Sequence, residues 1–97
     1  MLLHRKLFVY AIASSENTVK IGYSVDPDRR LRQLQTGHER RLVLIHTEKV
    51  DTDRAPILER LIHNANRHLR MSGEWFALTH QQAIAEIQFA VIRYESD

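Results

Sequence analysis

Two strand-like runs stand four residues apart near the start of the chain, and that spacing forces a tight connection between them. Residues 6–13, Lys-Leu-Phe-Val-Tyr-Ala-Ile-Ala, are apolar almost without interruption, the pattern of a buried strand. Ser14-Ser15-Glu16-Asn17 is a turn cluster. Residues 18–23 then alternate, with Val19, Ile21 and Tyr23 on one side and Thr18, Lys20 and Gly22 on the other. The two runs predict an antiparallel hairpin. Tyr10 and Lys20 can face each other across it if the connecting loop has an odd number of residues. That register sets Val9 opposite Ile21 and Leu7 opposite Tyr23. A register with Tyr10 opposite Ile21 also buries apolar groups, so the pattern alone leaves both open.

The hairpin is followed by helix signals. Asp26 can cap, Pro27 suits a first helical position, and Asp28 meets the positive end of the dipole. Gly37 is a natural stop. Val43, Leu44 and Ile45 mark a third strand over residues 41–50. A second helix is expected from about Asp53 to Leu69, with Leu58, Leu61, Ile62, Ala65 and Leu69 as its apolar face and Pro56 in its first turn. Residues 73–78 form a short extended piece carrying Trp75 and Phe76, which read as packing residues. Thr79-His80-Gln81-Gln82 fits a capping box, opening a last helix with a stripe of Ala83, Ile84, Ile87, Ala90, Val91 and Tyr94. The expected fold class is α+β, a three-stranded antiparallel sheet flanked by helices.

A chain of 97 residues makes one domain, since halving it would leave neither part a core. No apolar run reaches the roughly 18 residues of a membrane span. The basic start, His4-Arg5-Lys6, precedes an apolar run too short and too lacking in a cleavage region for a leader, so export is not expected. Without cysteine there is no disulfide, zinc–thiolate site or thiol nucleophile. His63 and His68 therefore lack the partners of a zinc finger. A net charge of +2 is a mild basic bias. It is concentrated, however: Arg29, Arg30, Arg32, Arg40 and Arg41 crowd the first helix and the turn after it. Arginine rather than lysine in such a cluster favours phosphate binding over a merely solvated face.

Several residues together carry a resemblance. Phe8-Val9-Tyr10, then Lys20-Ile21-Gly22, then Arg30 eight positions after Gly22, then Glu59 on a later helix, look like the GIY-YIG nuclease superfamily. The phrases Lys-Ile-Gly-Tyr-Ser, Arg-Arg-Leu-Arg-Gln-Leu-Gln-Thr-Gly, Glu59-Arg-Leu-Ile-His63 and Gly73-Glu-Trp-Phe76 resemble its small phage and bacterial branch most. The resemblance covers residues 7–78 and implies a GIY-YIG-like fold that cuts DNA with one divalent ion, Mg²⁺ or Mn²⁺. It assigns Tyr10 as the first-motif tyrosine and general base, Arg30 as the catalytic arginine and Glu59 as the metal ligand. Lys20 stands where the second motif carries tyrosine. Leu34 stands where the family has a histidine or tyrosine, and its later asparagine has no counterpart.

The chemistry of these residue types agrees with that assignment. Phosphodiester hydrolysis needs an activated water, a Lewis acid on the phosphate and positive charge for the developing oxyanion. A tyrosine titrates near ~10 and is a poor base unless a cation stabilises its phenolate; Lys20 could be that cation, or could orient the water. Arg30 offers a planar fork for phosphate oxygens, and Glu59 a hard oxygen ligand. Tyr23, His38, His63 and Glu74 are secondary candidates: His38 as phosphate contact or proton donor, Glu74 as an alternative carboxylate. Each residue also has a purely structural reading: a packed strand tyrosine, a solvated lysine, an arginine in a salt bridge, and a Glu59–His63 pair one helical turn apart.

The expected function is thus a cytoplasmic, bacterial or phage-encoded, metal-dependent DNA endonuclease of low sequence specificity. Arg29, Arg32, Arg40 and Arg41 are its expected DNA contacts, and a homodimer or protein partner is the expected source of any specificity. The alternatives are a catalytically inactive DNA-binding module of the same fold, and an interaction domain whose basic surface takes acidic partners.

Overall fold

The computed structural model describes residues 6–95. The first residues of the basic start lie outside them. The elements are strands β1 (Lys6–Ser15) and β2 (Thr18–Ser24), helix α1 (Pro27–Gln35), strand β3 (Val43–Asp51), helix α2 (Ala55–Ala65), a 3₁₀ turn (Arg67–Leu69), strands β4 (Arg70–Ser72) and β5 (Trp75–Phe76), and helix α3 (His80–Glu95).

The sheet has five strands in the order β3-β1-β2-β5-β4, all pairs antiparallel. This corrects the expected three. The two added strands are three and two residues long, too short to show a period of two. β5 joins the sheet because Val19 and Lys20 of β2 pair with Phe76 and Trp75.

β1 lies in the interior of the sheet and is covered on both faces, which explains its unbroken apolar run. On one face Val9, Ala11, Val19 and Ile21 pack with Leu58 and Ile62 of α2, Phe76 of β5, and Ala83 and Ile87 of α3. On the other, Tyr10, Ile12 and Leu42 pack with Leu31 and Leu34 of α1 and with Trp75. The result is a three-layer α+β domain: α1, the sheet, then α2 and α3 together.

The hairpin register differs from expectation. Tyr10 pairs with Gly22 and Lys20 with Ile12, while Val9 faces Tyr23 and Ala11 faces Ile21. Ser15 pairs with Thr18 across the Glu16–Asn17 turn, and a bulge between Ala13 and Ser15 shifts the ladder. Continuing the Ser15–Thr18 pairing without the bulge would set Tyr10 opposite Tyr23, and Lys20 would then fall on the other face. The extra residue at the bulge moves the partner by one and puts Tyr10 and Lys20 on the same face.

The capping signals are realised. Asp26 Oδ1 accepts from the Arg29 N–H at 3.0 Å. Thr79 Oγ1 accepts from the Gln82 N–H at 3.1 Å, and Gln82 Oε1 accepts from the Thr79 N–H at 2.9 Å, a complete capping box. Gly37 takes φ +82° just past α1. α2 stops at Ala65 rather than running to Leu69. Asn66 is buried, and its side-chain amide donates to the Ile62 carbonyl at 2.9 Å and to Glu86 at 2.6 Å. A side chain bonded back onto the preceding turn competes with the helix, and the chain tightens into a 3₁₀ turn. Among the described residues no helix is long and apolar enough to cross a membrane.

Candidate active site

The α1 side of the sheet carries a polar cluster over its apolar floor. Tyr10 sits mid-strand in β1 and is only 1% exposed. Its ring lies across Gly22, its partner in β2, where a Cβ would come within 2.6 Å of the phenol oxygen. The glycine at this position is what leaves room for the ring.

Lys20 lies two residues along β2 on the same face. It is buried to 8% exposure, unlike the solvated lysine of the structural reading. Its Nζ lies 3.1 Å from Glu74 Oε1 and 5.6 Å from the centre of the Trp75 ring. Both contacts follow from β5 pairing beside Lys20. The Glu74 carbonyl also accepts from the Ile21 N–H at 3.1 Å, fixing the backbone on which this carboxylate is carried. Glu74 Oε1 in turn lies 3.3 Å from where a Gly22 Cβ would be. The phenol of Tyr10 and the Lys20–Glu74 pair therefore meet above Gly22.

Arg30 enters from α1, half-buried; its guanidinium donates to Gln33 Oε1 at 3.5 Å, and its charge acts on the Tyr10 phenol. The cation beside the phenol is thus Arg30; Lys20 is engaged with Glu74. Burial nevertheless outweighs Arg30, and the Tyr10 hydroxyl is held above its ordinary range, with the charge of Glu74 adding to the effect.

Glu59 comes from α2, half-buried, and its carboxyl feels the charges of Glu74 and Lys20. His63, one turn later on the same helix, donates Nε2–H to the Ile21 carbonyl at 2.8 Å, and its ring packs tilted against that of Phe76 with centres 4.8 Å apart. His63 therefore ties α2 to β2. The Glu59 carboxyl is pushed up to about 7, first by burial and then by the charge of Glu74, with Lys20 opposing. Glu59 and Glu74 are thus two half-buried carboxylates that repel each other. Among the described residues no group of three or more histidine or acidic side chains gathers as a metal site. Glu59 and Glu74 are the hard oxygen donors that could hold a divalent cation such as Mg²⁺ or Mn²⁺ here.

The other expected residues divide. Tyr23 is 39% exposed and lies on the sheet face opposite Tyr10, outside the cluster. His38 is half-buried at the cluster's margin, its ring 5.8 Å from that of Trp75. Arg29, Arg32, Arg40 and Arg41 are all exposed. Trp75 packs as expected, and its ring also backs Lys20. Gln35 carried no signal in the sequence, because its partners are backbone atoms of the loop that follows it.

The cluster joins two hydrogen-bond donors and a guanidinium to two carboxylates, on four elements and the turn between β4 and β5. Such an arrangement can bind an oxyanion beside a divalent cation. Neither the curated proteins nor the solved structures compared with this chain gave a match. The sequence pattern of the T5orf172 domain spans residues 7–91, nearly the whole described fold, and the chain belongs to that family.

Proposed function

We propose that the protein is a metal-dependent DNA endonuclease of the GIY-YIG type. The observation that carries this reading is the convergence of Tyr10, Lys20, Arg30 and Glu59, four residues far apart in sequence, around Gly22 and Glu74. A packing role for each residue separately gives no reason for them to meet.

Glu59 would hold a divalent cation, with Glu74 beside it. When bound, that ion supplies the Lewis acid for a phosphate oxygen. Arg30 presents its fork to the non-bridging oxygens and stabilises the charge that grows on them. The Tyr10 phenol, kept protonated by burial, donates a hydrogen bond to the attacking water or to the phosphate. It serves as a base only as far as Arg30 and further positive charge stabilise the phenolate. Lys20 holds Glu74 in place and adds positive charge to the floor of the site. The exposed Arg29, Arg32, Arg40 and Arg41 contact DNA phosphates outside the reacting centre, positioning the duplex without reading its sequence.

The catalytically inactive DNA-binding module is the second reading. It is favoured by the engagement of Lys20 with Glu74 and by the raised Tyr10 hydroxyl, which makes the phenol a poorer base. Nicking of supercoiled plasmid with and without Mg²⁺ separates the two.

A further inference from the structure

We propose that Gln35 is a positioning residue for DNA: its side chain locks the loop that carries His38, Arg40 and Arg41 into a preformed phosphate-binding turn. The inference rests on the DNA-directed reading above. It comes from a set of contacts outside the catalytic cluster.

Gln35 is the last residue of α1, and its amide spans the loop in three directions. Nε2–H donates to the Arg40 carbonyl at 2.9 Å and to the His38 carbonyl at 3.4 Å. Oε1 accepts from the Leu42 N–H at 2.7 Å. Two further bonds stiffen the same loop. The His38 N–H donates to the Gln35 carbonyl at 3.0 Å, and the Arg40 N–H donates to His38 Nδ1 at 3.3 Å. The second bond fixes the His38 ring with Nδ1 as acceptor. In the neutral ring Nε2 then carries the proton.

Both ends of the loop are anchored to the site. Leu42, only 4% exposed, packs with Tyr10 and Ile12, and the His38 ring packs on Trp75 beside Lys20. Between these anchors Glu39, Arg40 and Arg41 are exposed. A loop with no regular structure would otherwise lose conformational freedom when its arginines engage phosphate. Bonds made before binding remove that cost, so the effect of Gln35 reaches DNA through Arg40 and Arg41.

The test is a double-mutant cycle in full-length protein. Fluorescence anisotropy with a labelled duplex of about 20 base pairs is measured for wild type, Gln35→Met, Arg40→Ala/Arg41→Ala, and the combination. Gln35→Met keeps the side chain's length and removes its hydrogen bonds. The expected loss for Gln35→Met is about tenfold in the wild-type background and under about twofold when Arg40 and Arg41 are already gone, since coupled residues are not additive. Amide hydrogen exchange at Leu42 is read on the same proteins without DNA, and should quicken in Gln35→Met while the melting temperature stays near wild type.

An equal loss in both backgrounds, or unchanged exchange at Leu42, overturns the role of Gln35 while leaving the DNA reading intact. A wild-type protein that does not bind the duplex overturns the DNA reading itself, and with it this role. Faster Leu42 exchange in Gln35→Met would still show that Gln35 holds the loop.

Discussion

The phenol of Tyr10 rests on the backbone of Gly22, so closely that a single added carbon would stand 2.6 Å from its oxygen. The contact joins the two strands of the hairpin and sets the height of the phenol above the sheet. It also explains the glycine without appeal to backbone freedom, since Gly22 is not among the glycines at positive φ.

Gly22→Ala is therefore expected to act on the site as well as on stability. The Tyr10 ring is enclosed and cannot yield without moving its neighbours, so overpacking should cost about 1–3 kcal/mol of unfolding free energy. Urea denaturation measures that loss. Tyr10→Phe in the same background removes the hydroxyl that makes the closest contact and should recover part of it. An alanine variant as stable as wild type would contradict the packing.

Much of this arrangement was legible from sequence. The hairpin, the Asp26 cap, the Thr79–Gln82 box and the three helices all follow from local rules that the structure obeys. The register did not follow, because a bulge between Ala13 and Ser15 moves the ladder by one residue, which a period-two pattern does not show. The fourth and fifth strands were hidden by their length. Glu74 could be named as an acidic residue near Trp75, but its partnership with Lys20 depends on β5 pairing with β2. The short chain of motifs from Tyr10 to Glu59 was visible, whereas the identity of the cation at the phenol, Arg30, was decided only by the placement of α1.

Arg30 separates chemistry from binding. It faces the phenol, whereas Arg29 and Arg32 are exposed on the same helix. Arg30→Ala should cost about 2.7–4 kcal/mol in single-turnover cleavage, the loss typical of one preorganised donor, with little change in DNA affinity. Arg30→Lys should rescue poorly, since an ammonium cannot reproduce the fork. Arg29→Ala or Arg32→Ala should instead weaken binding and lower its salt slope by about one unit. Equal binding losses at all three positions, with no added loss of cleavage for Arg30, would assign Arg30 to the phosphate contacts.

The Glu59 carboxyl gives stability a pH dependence. Its value in the folded protein, about 7, lies above the ordinary 4.5, so the folded state holds the proton more tightly than the unfolded chain. Its contribution is fully present below about pH 4.5 and is lost as pH rises through about 7. Glu59→Gln should remove this component. The difference in melting temperature between Glu59→Gln and wild type, without divalent ions, should be small near pH 4.5 and grow in favour of the variant by pH 8. A difference that stays constant over this range would show that the carboxyl is not strained in the fold.

The most direct test is plasmid nicking by wild type and Glu59→Gln, with and without Mg²⁺ or Mn²⁺, alongside duplex binding by both proteins. A metal-dependent site predicts that wild type nicks only when the divalent ion is present. It predicts that Glu59→Gln binds the duplex as wild type does but leaves the plasmid supercoiled. Near-normal nicking by Glu59→Gln would contradict the role of Glu59, and a wild-type protein that binds DNA but never cuts it with either ion would contradict the nuclease itself.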